Sequence, residues 1–168
     1  MSVALLIARL VLGLGMAAHG SQKLFGWFGG HGLTGTGGLF ENLGFRPGRA
    51  FAFLAGAGEF GSGVLISLGL LGPIGPALLI LVMTVAALAV HVRNGFFVTK
   101  NGVEVPAIYA TGAFILAFTG PGALSLDALL GLERYWTPGL ATAAVVAAVV
   151  SGLANVAARR APAQAPSR

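Results

Sequence analysis

The sequence predicts an all-α, polytopic transmembrane helical bundle of four helices plus a fifth, C-terminal hydrophobic helix. Three observations support this prediction. Of the 168 residues, 56% are hydrophobic and only 9% are charged, and the mean hydropathy is +0.87. An average soluble domain has about 25% charged residues, so this chain has too few charges to cover a water-exposed surface. Its apolar residues also occur in long runs, which membrane-spanning helices require.

Composition excludes several other classes of protein. Disordered chains need low hydrophobicity and high net charge, and this chain has neither. It has no cysteine, which removes disulfides, thiol exchange and thiolate metal sites. The formal net charge of +5 comes mainly from arginines at the edges of apolar runs, so it does not indicate a nucleic-acid partner. No phosphate-binding loop or catalytic serine motif is present.

Five apolar runs are candidate spans, because about 20 helical residues cross a bilayer core about 30 Å thick. They cover about residues 3–23, 50–71, 73–92, 105–119 and 138–158 of a single domain, residues 1–158. The first run carries Arg9 and lacks a convincing cleavage site, so we expect it to be retained. The fourth run is short, and we expect it to start earlier, to cross obliquely or to lie where the bilayer is thinned.

The segments between the runs differ in composition. Residues 24–49 are rich in glycine and aromatic residues, which predicts an interfacial loop at the membrane surface or partly re-entering it. Gly72-Pro73 predicts a tight hairpin between the second and third spans. Residues 159–168 are predicted to form a disordered basic tail.

The distribution of lysine and arginine predicts the orientation. With five spans, one face carries eight basic residues and the other carries only Arg134. The eight are Lys23, Arg46, Arg49, Arg93, Lys100, Arg159, Arg160 and Arg168. The sequence therefore predicts a multi-pass protein of the plasma membrane with its N-terminus outside and its C-terminus in the cytoplasm.

Ionisable residues inside the spans are candidates for function, because such groups are costly in lipid and usually face the bundle interior. Arg9 lies in the outer half, where its long side chain either snorkels outward or reaches down toward Glu59. A rise of 1.5 Å per residue places His19 and His91 at similar heights, with Glu59 about one turn deeper. We therefore expect Glu59 to face the bundle with His19 or His91 within hydrogen-bonding reach, directly or through one water. Small-residue pairs such as Gly13/Ala17 predict close packing of the first two spans.

One long stretch and several shorter ones resemble the DoxX family of small bacterial membrane proteins. The matching residues are His19 to Gly30, Leu54-Ala55-Gly56 with Glu59-Phe60, Leu68 to Leu71, His91 with Asn94 to Phe97, Glu104 with Pro106, and Thr119 to Gly122 with Ser125 to Asp127. The resemblance covers about three quarters of the chain and implies four membrane helices, to which this chain adds a fifth. Some members of that family are linked to quinone-coupled thiosulfate oxidation, and others to membrane complexes that protect against oxidative stress.

The leading hypothesis is a quinone- or redox-linked membrane component that acts with partner proteins. In it Glu59 relays a proton, and four basic residues bind a quinone headgroup: His19, Lys23, His91 and Arg93. The resemblance implies no definite cofactor. Quinone is the candidate cofactor, and no residues are assigned to a metal site. The alternatives are a non-catalytic anchor or assembly subunit and a small-molecule transporter. The candidate partners are the lipid bilayer, a quinone, a redox enzyme subunit and a second copy of the chain. The sequence does not decide whether the protein is an enzyme.

Overall fold

The protein is a bundle of α-helices in the computed structural model, which describes residues 2–160. The helices are α1 (Ser2–Phe25), α2 (Gly32–Asn42), α3 (Gly48–Leu68), α4 (Ile74–Ala86), α5 (Glu104–Thr119), α6 (Leu126–Leu130) and α7 (Pro138–Ala157). A π-helical turn (Ala87–His91) and a 3-10 turn (Val92–Asn94) extend α4. This part of the chain contains no β-strand, and the predicted helical bundle is confirmed.

Four of the helices are long and apolar enough to cross a membrane. They are α1, α3, α7 and α4 with its extension to Asn94. The fifth apolar helix, α5, has only 16 residues, which at 1.5 Å per residue is about 24 Å, short of a core about 30 Å thick. The structure thus contains the five apolar helices predicted from the sequence, with α5 as the short one.

Helices α1 and α3 pack so closely that only glycine fits at several positions. A Cβ atom on Gly20 would lie 2.4 Å from the backbone nitrogen of Phe60. A Cβ atom on Gly63 would lie 2.5 Å from the nitrogen of Ala17 and 2.5 Å from the oxygen of Gly13. The obstructing atoms are backbone, which cannot rotate away. The small residues of these two spans therefore serve helix packing, as their spacing predicts.

Replacing Gly63 by alanine is expected to destabilise the protein by about 1–3 kcal/mol, because the new methyl group pushes α1 and α3 apart. Gly38 provides the matched control, because a Cβ atom there has no neighbour within 4 Å. Gly38→Ala is expected to gain roughly 0.5–1 kcal/mol from the better helix propensity of alanine. Chemical unfolding in detergent measures both, and equal effects would contradict the close contact.

The segment predicted as a loop, residues 24–49, is largely helical. It contains a 3-10 turn at Trp27–Gly29 and the helix α2. Glycine is a poor helix former, so the glycine-rich sequence of α2 predicts a loop. Packing against α3 outweighs that preference: Thr36 and Gly37 are buried, and a Cβ on Gly37 would lie 3.2 Å from the Cα of Arg49.

The ends of the other predicted segments also differ from the structure. Helix α3 ends at Leu68, three residues before the predicted end, because Gly69 adopts a left-handed conformation (φ 63°) and caps it. Of the predicted tail, Arg160 donates its backbone N–H to the oxygen of Gly44 at 2.9 Å, and Arg159 lies over the ring of Phe45. The rest of that tail, residues 161–168, lies outside the described residues.

The long helices alternate in direction, so the bundle has two ends. One end, here called the basic end, holds the C-termini of α1 and α7, the extension of α4, the N-termini of α3 and α5, and α2. The opposite end holds the N-terminus of α1, the turn between α3 and α4, α6 and the N-terminus of α7.

Candidate functional site

A cavity of about 420 Å³ opens at the basic end between α2, α3 and α4. Its walls are mostly apolar, and include Phe40, Phe45, Phe51, Leu54, Leu78 and Val82. Four polar side chains reach it: Lys23, Glu59, His91 and Asn155. Small-molecule sites in proteins typically enclose about 300–1,000 Å³, with apolar walls and a few placed polar groups, and this cavity has that character.

Glu59 is buried at the cavity and paired with Lys23. The residue is only 3% exposed, and the Lys23 ammonium donates hydrogen bonds to both of its carboxylate oxygens. The Lys23 side chain is more exposed, at 28%, so the lysine approaches from the edge of the bundle and the carboxylate lies inside. A buried carboxylate is tolerated only with such a partner.

The direct hydrogen-bond partner of Glu59 is therefore Lys23, where the sequence predicted a histidine. Lys23 lies one helical turn beyond His19 on the same face of α1, because residues four apart are neighbours on a helix. Helical side chains lean toward the N-terminus, and lysine is long enough to cover the turn before its own Cα. The Lys23 ammonium thus reaches the depth of Glu59, which an estimate from Cα heights does not anticipate.

The loop that follows α4 holds the ring of His91 in one orientation. Its Nδ1 lies 2.8 Å from the backbone oxygen of Asn101. A carbonyl oxygen only accepts hydrogen bonds, so Nδ1 is the donor, and in the neutral ring the proton is on Nδ1. Nε2 then carries the lone pair and has no hydrogen-bond partner among residues 2–160. The hydrogen bond to Asn101 thus fixes the orientation of the imidazole and leaves Nε2 available to a ligand.

His91 ends the π-helical turn Ala87–His91, and Ala89 and Val90 of that turn also line the cavity. The sequence predicts a plain helix here, and the run Ala-Leu-Ala-Val-His carries no signal for a π-turn. Such turns are rare and are frequent at functional sites. The irregular end of α4 thus adds independent support for a site at this cavity.

Two of the residues predicted to bind a ligand lie elsewhere. His19 is exposed and packs edge-on against the ring of Tyr109, with the ring centroids 6.2 Å apart. Arg93 is exposed on the 3-10 turn after His91 and is not among the cavity residues. The cavity therefore brings together Lys23, Glu59 and His91 of the predicted set.

Sequence reasoning missed Asn155 on α7. Its side chain reaches the cavity and its Nδ2 donates to the oxygen of Ser151 at 2.9 Å. An asparagine in a run of alanine and valine is itself a signal, because polar side chains at membrane depth usually face the bundle. The aromatic wall was not predictable in this way, because Phe40 and Phe45 reach the cavity only through the fold of α2 and the loop after it.

An alternative use of the two histidines and Glu59 would be a metal site with three protein ligands. Within residues 2–160, no three histidine, aspartate or glutamate side chains come together in a group that would hold a metal ion. The chain has no cysteine to add.

These features define a multi-pass helical membrane protein with a cavity of ligand size at one end of the bundle. Within that class, the chain belongs to the DoxX family, whose family model matches residues 4–92, more than half of the chain. Curated proteins and solved structures give no match. The matched region runs from α1 through His91, and it contains Lys23, Glu59 and His91.

Proposed function

We propose that the protein binds the headgroup of a membrane quinone in this cavity and acts as a redox-linked component with a partner protein. The observation that carries the proposal is the pairing of apolar walls with one oriented histidine and one buried ion pair. A quinone has an apolar ring and tail and two carbonyl oxygens that need hydrogen bonds, so its chemistry matches that combination.

The three polar residues have distinct roles in this proposal. Oxidation of a hydroquinone releases two electrons and two protons. His91 accepts one proton at Nε2, and the Glu59 carboxylate accepts the other. The ammonium of Lys23 favours the anionic form of the ring. The chain has no thiol to take the electrons, so they pass to a redox cofactor of the partner protein.

The test is the quinone content of the protein purified in mild detergent, measured by the ultraviolet spectrum before and after reduction. His91→Phe is expected to lower the quinone bound per protein about tenfold, equivalent to about 1.4 kcal/mol. His19→Phe is the matched control, because it removes a histidine of similar depth outside the cavity. An equal loss in both variants, or no quinone in the parent after incubation with a short-chain quinone, would refute the proposal.

A non-catalytic anchor is the second candidate, and the exposed basic residues at the basic end favour it. Arg93 and Lys100 lie on the loop between α4 and α5 and are solvent-exposed. They are placed to contact an acidic surface of a soluble partner. Capture of that partner unaffected by His91→Phe, with no quinone bound in either protein, would select this function.

We also propose that the basic end faces the cytoplasm. Seven basic residues of the described chain lie there (Lys23, Arg46, Arg49, Arg93, Lys100, Arg159 and Arg160), and Arg134 is the exposed one at the opposite end. Cytoplasmic loops of membrane proteins carry such an excess.

The absence of cysteine makes this orientation testable with single-cysteine variants. In intact cells, a membrane-impermeant maleimide is expected to label Arg134→Cys and to label Lys100→Cys only after permeabilisation. Both positions are exposed, so accessibility within the protein is matched. The reverse pattern would place the basic end outside.

A further inference from the structure

Unpaired polar atoms occur at both ends of the bundle, but those of Arg9 are closed to a ligand. Arg9 lies at the opposite end and is 2% exposed, so it neither snorkels outward nor reaches toward Glu59. Its Nη2 donates to the backbone oxygen of Leu124. Its Nε and Nη1 are sealed inside the protein without a partner in residues 2–160. The accessible unpaired atoms at the basic end are therefore the better candidates for binding.

His91 and Asn155 both line the cavity at the basic end, and each carries an unpaired hydrogen-bond acceptor. Both side chains are half-buried, yet neither the Nε2 of His91 nor the Oδ1 of Asn155 is among the buried unpaired atoms of the described chain. Neither atom has a hydrogen-bond partner within residues 2–160. The two acceptors belong to the extension of α4 and to α7, which pack against each other.

Backbone carbonyls already use a donor of each of these side chains. Nδ1 of His91 donates to the oxygen of Asn101 at 2.8 Å, and Nδ2 of Asn155 donates to the oxygen of Ser151 at 2.9 Å. A carbonyl oxygen only accepts, so neither the imidazole nor the amide can turn its acceptor to the backbone without losing this bond. The backbone thus leaves each side chain with an acceptor for a ligand.

We propose that the cavity binds the hydroquinone form of its ligand in preference to the quinone. One hydroxyl donates to Nε2 of His91, and the other donates to Oδ1 of Asn155. This inference rests on the proposed function and specifies the redox form that the site selects. A quinone has two carbonyl oxygens and no donor, so it leaves both acceptors unpaired, which is costly beside apolar walls. A hydroxyl also accepts, so the hydroquinone still pairs with any N–H group that the cavity presents.

Asn155 is a selectivity residue in this proposal. An amide takes up no proton, so its part is to bind the ring, and proton uptake stays with His91 and Glu59. Asn155 also lies outside residues 4–92, which match the family model. The selectivity for the reduced ring therefore depends on the C-terminal helix α7.

Calorimetric titration of the delipidated full-length protein in mild detergent tests the preference. It is carried out without oxygen at about pH 8, where a free imidazole is neutral. The ligands are a short-chain benzoquinone, its hydroquinone and the dimethyl ether of that hydroquinone, which keeps both oxygens but has no O–H donor. The hydroquinone is expected to bind about tenfold more tightly than the quinone, equivalent to a rise of about 30 mV in the two-electron midpoint potential of the bound couple. The ether is expected to bind no more tightly than the quinone.

Asn155→Leu removes the amide at similar side-chain volume. It is expected to weaken hydroquinone binding about fivefold, as the loss of one hydrogen bond does, and to leave quinone binding unchanged. Thr142→Val is the matched control on the same helix. The Thr142 hydroxyl also donates to a carbonyl four residues earlier, that of Pro138, but Thr142 does not line the cavity. Both affinities are expected to stay the same in this variant.

The outcomes distinguish this inference from the proposed function. Quinone binding as tight as that of the hydroquinone, or tighter, overturns the inference and leaves the proposed function standing. Binding of none of the three ligands refutes both. Asn155 is removed from the proposal if Asn155→Leu weakens both redox forms alike, or if it has no more effect than Thr142→Val. If Asn155→Leu does not fold, the comparison of the hydroquinone with its ether in the parent protein decides.

Discussion

Asp127→Ala is expected to destabilise the protein by about 3–5 kcal/mol, because it leaves three hydrogen-bond donors on two segments without their acceptor. Asp127 is 0% exposed. Its Oδ1 accepts the backbone N–H of Leu71 at 2.9 Å. Its Oδ2 accepts the backbone N–H of Gly72 at 2.6 Å and the indole N–H of Trp136 at 2.7 Å.

The same carboxylate holds a strained turn. Leu71 has a φ of 62°, in the left-handed region, which costs a residue with a Cβ roughly 1–2 kcal/mol. The Asp127 backbone N–H also donates to the oxygen of Gly69 at 3.1 Å, so α6 and the turn between α3 and α4 are joined at several points. Without the carboxylate, the turn loses the hydrogen bonds that maintain this conformation.

Denaturant unfolding in detergent micelles measures the effect of Asp127. Asp127→Asn keeps one acceptor oxygen and is expected to lose less stability than Asp127→Ala. Trp136→Phe removes only one of the donors to the Asp127 carboxylate and is expected to cost the least stability of the three variants. A loss below about 1 kcal/mol for Asp127→Ala would show that water replaces the carboxylate as the hydrogen-bond acceptor, which would contradict this prediction.

Lys23→Met is expected to cost about 3–5 kcal/mol, because it leaves the Glu59 carboxylate buried without its partner. The two side chains are 28% and 5% exposed, so the effects of removing them are unequal. Glu59→Gln leaves the Lys23 ammonium, which turns outward to water or lipid headgroups. We expect Glu59→Gln to cost clearly less than Lys23→Met.

A double-mutant cycle separates the ion pair from other effects of these substitutions. The double variant Lys23→Met with Glu59→Gln is expected to be more stable than Lys23→Met, because no charge remains buried. Arg46→Met is the matched control, because its ion pair with Glu41 lies at the same end but is exposed and is expected to contribute about 0–1 kcal/mol. Additive effects in the cycle would contradict a direct Lys23–Glu59 interaction.

Much of the fold was predictable from the sequence, because lipid imposes simple rules. Apolar runs of sufficient length predict spanning helices, and the five predicted runs coincide with the five apolar helices to within a few residues. The small residues of the first two spans predict their close contact. Glu59 and His91 stand out because polar residues are rare inside spans, and both line the cavity.

The sequence was least informative where neighbouring helices decide the contacts of a side chain. The direct partner of Glu59 is Lys23 rather than a histidine. This contact depends on the length of the lysine side chain and on the rotation of the helices, which the heights of the Cα atoms do not describe. Helix α2 forms because packing against α3 overcomes the low helix propensity of glycine. Asp127 lies in a short segment between spans, where an aspartate is usually solvated. The folding of α6 against the turn between α3 and α4 buries it, and a contact between residues more than 50 positions apart has no local signal in the sequence.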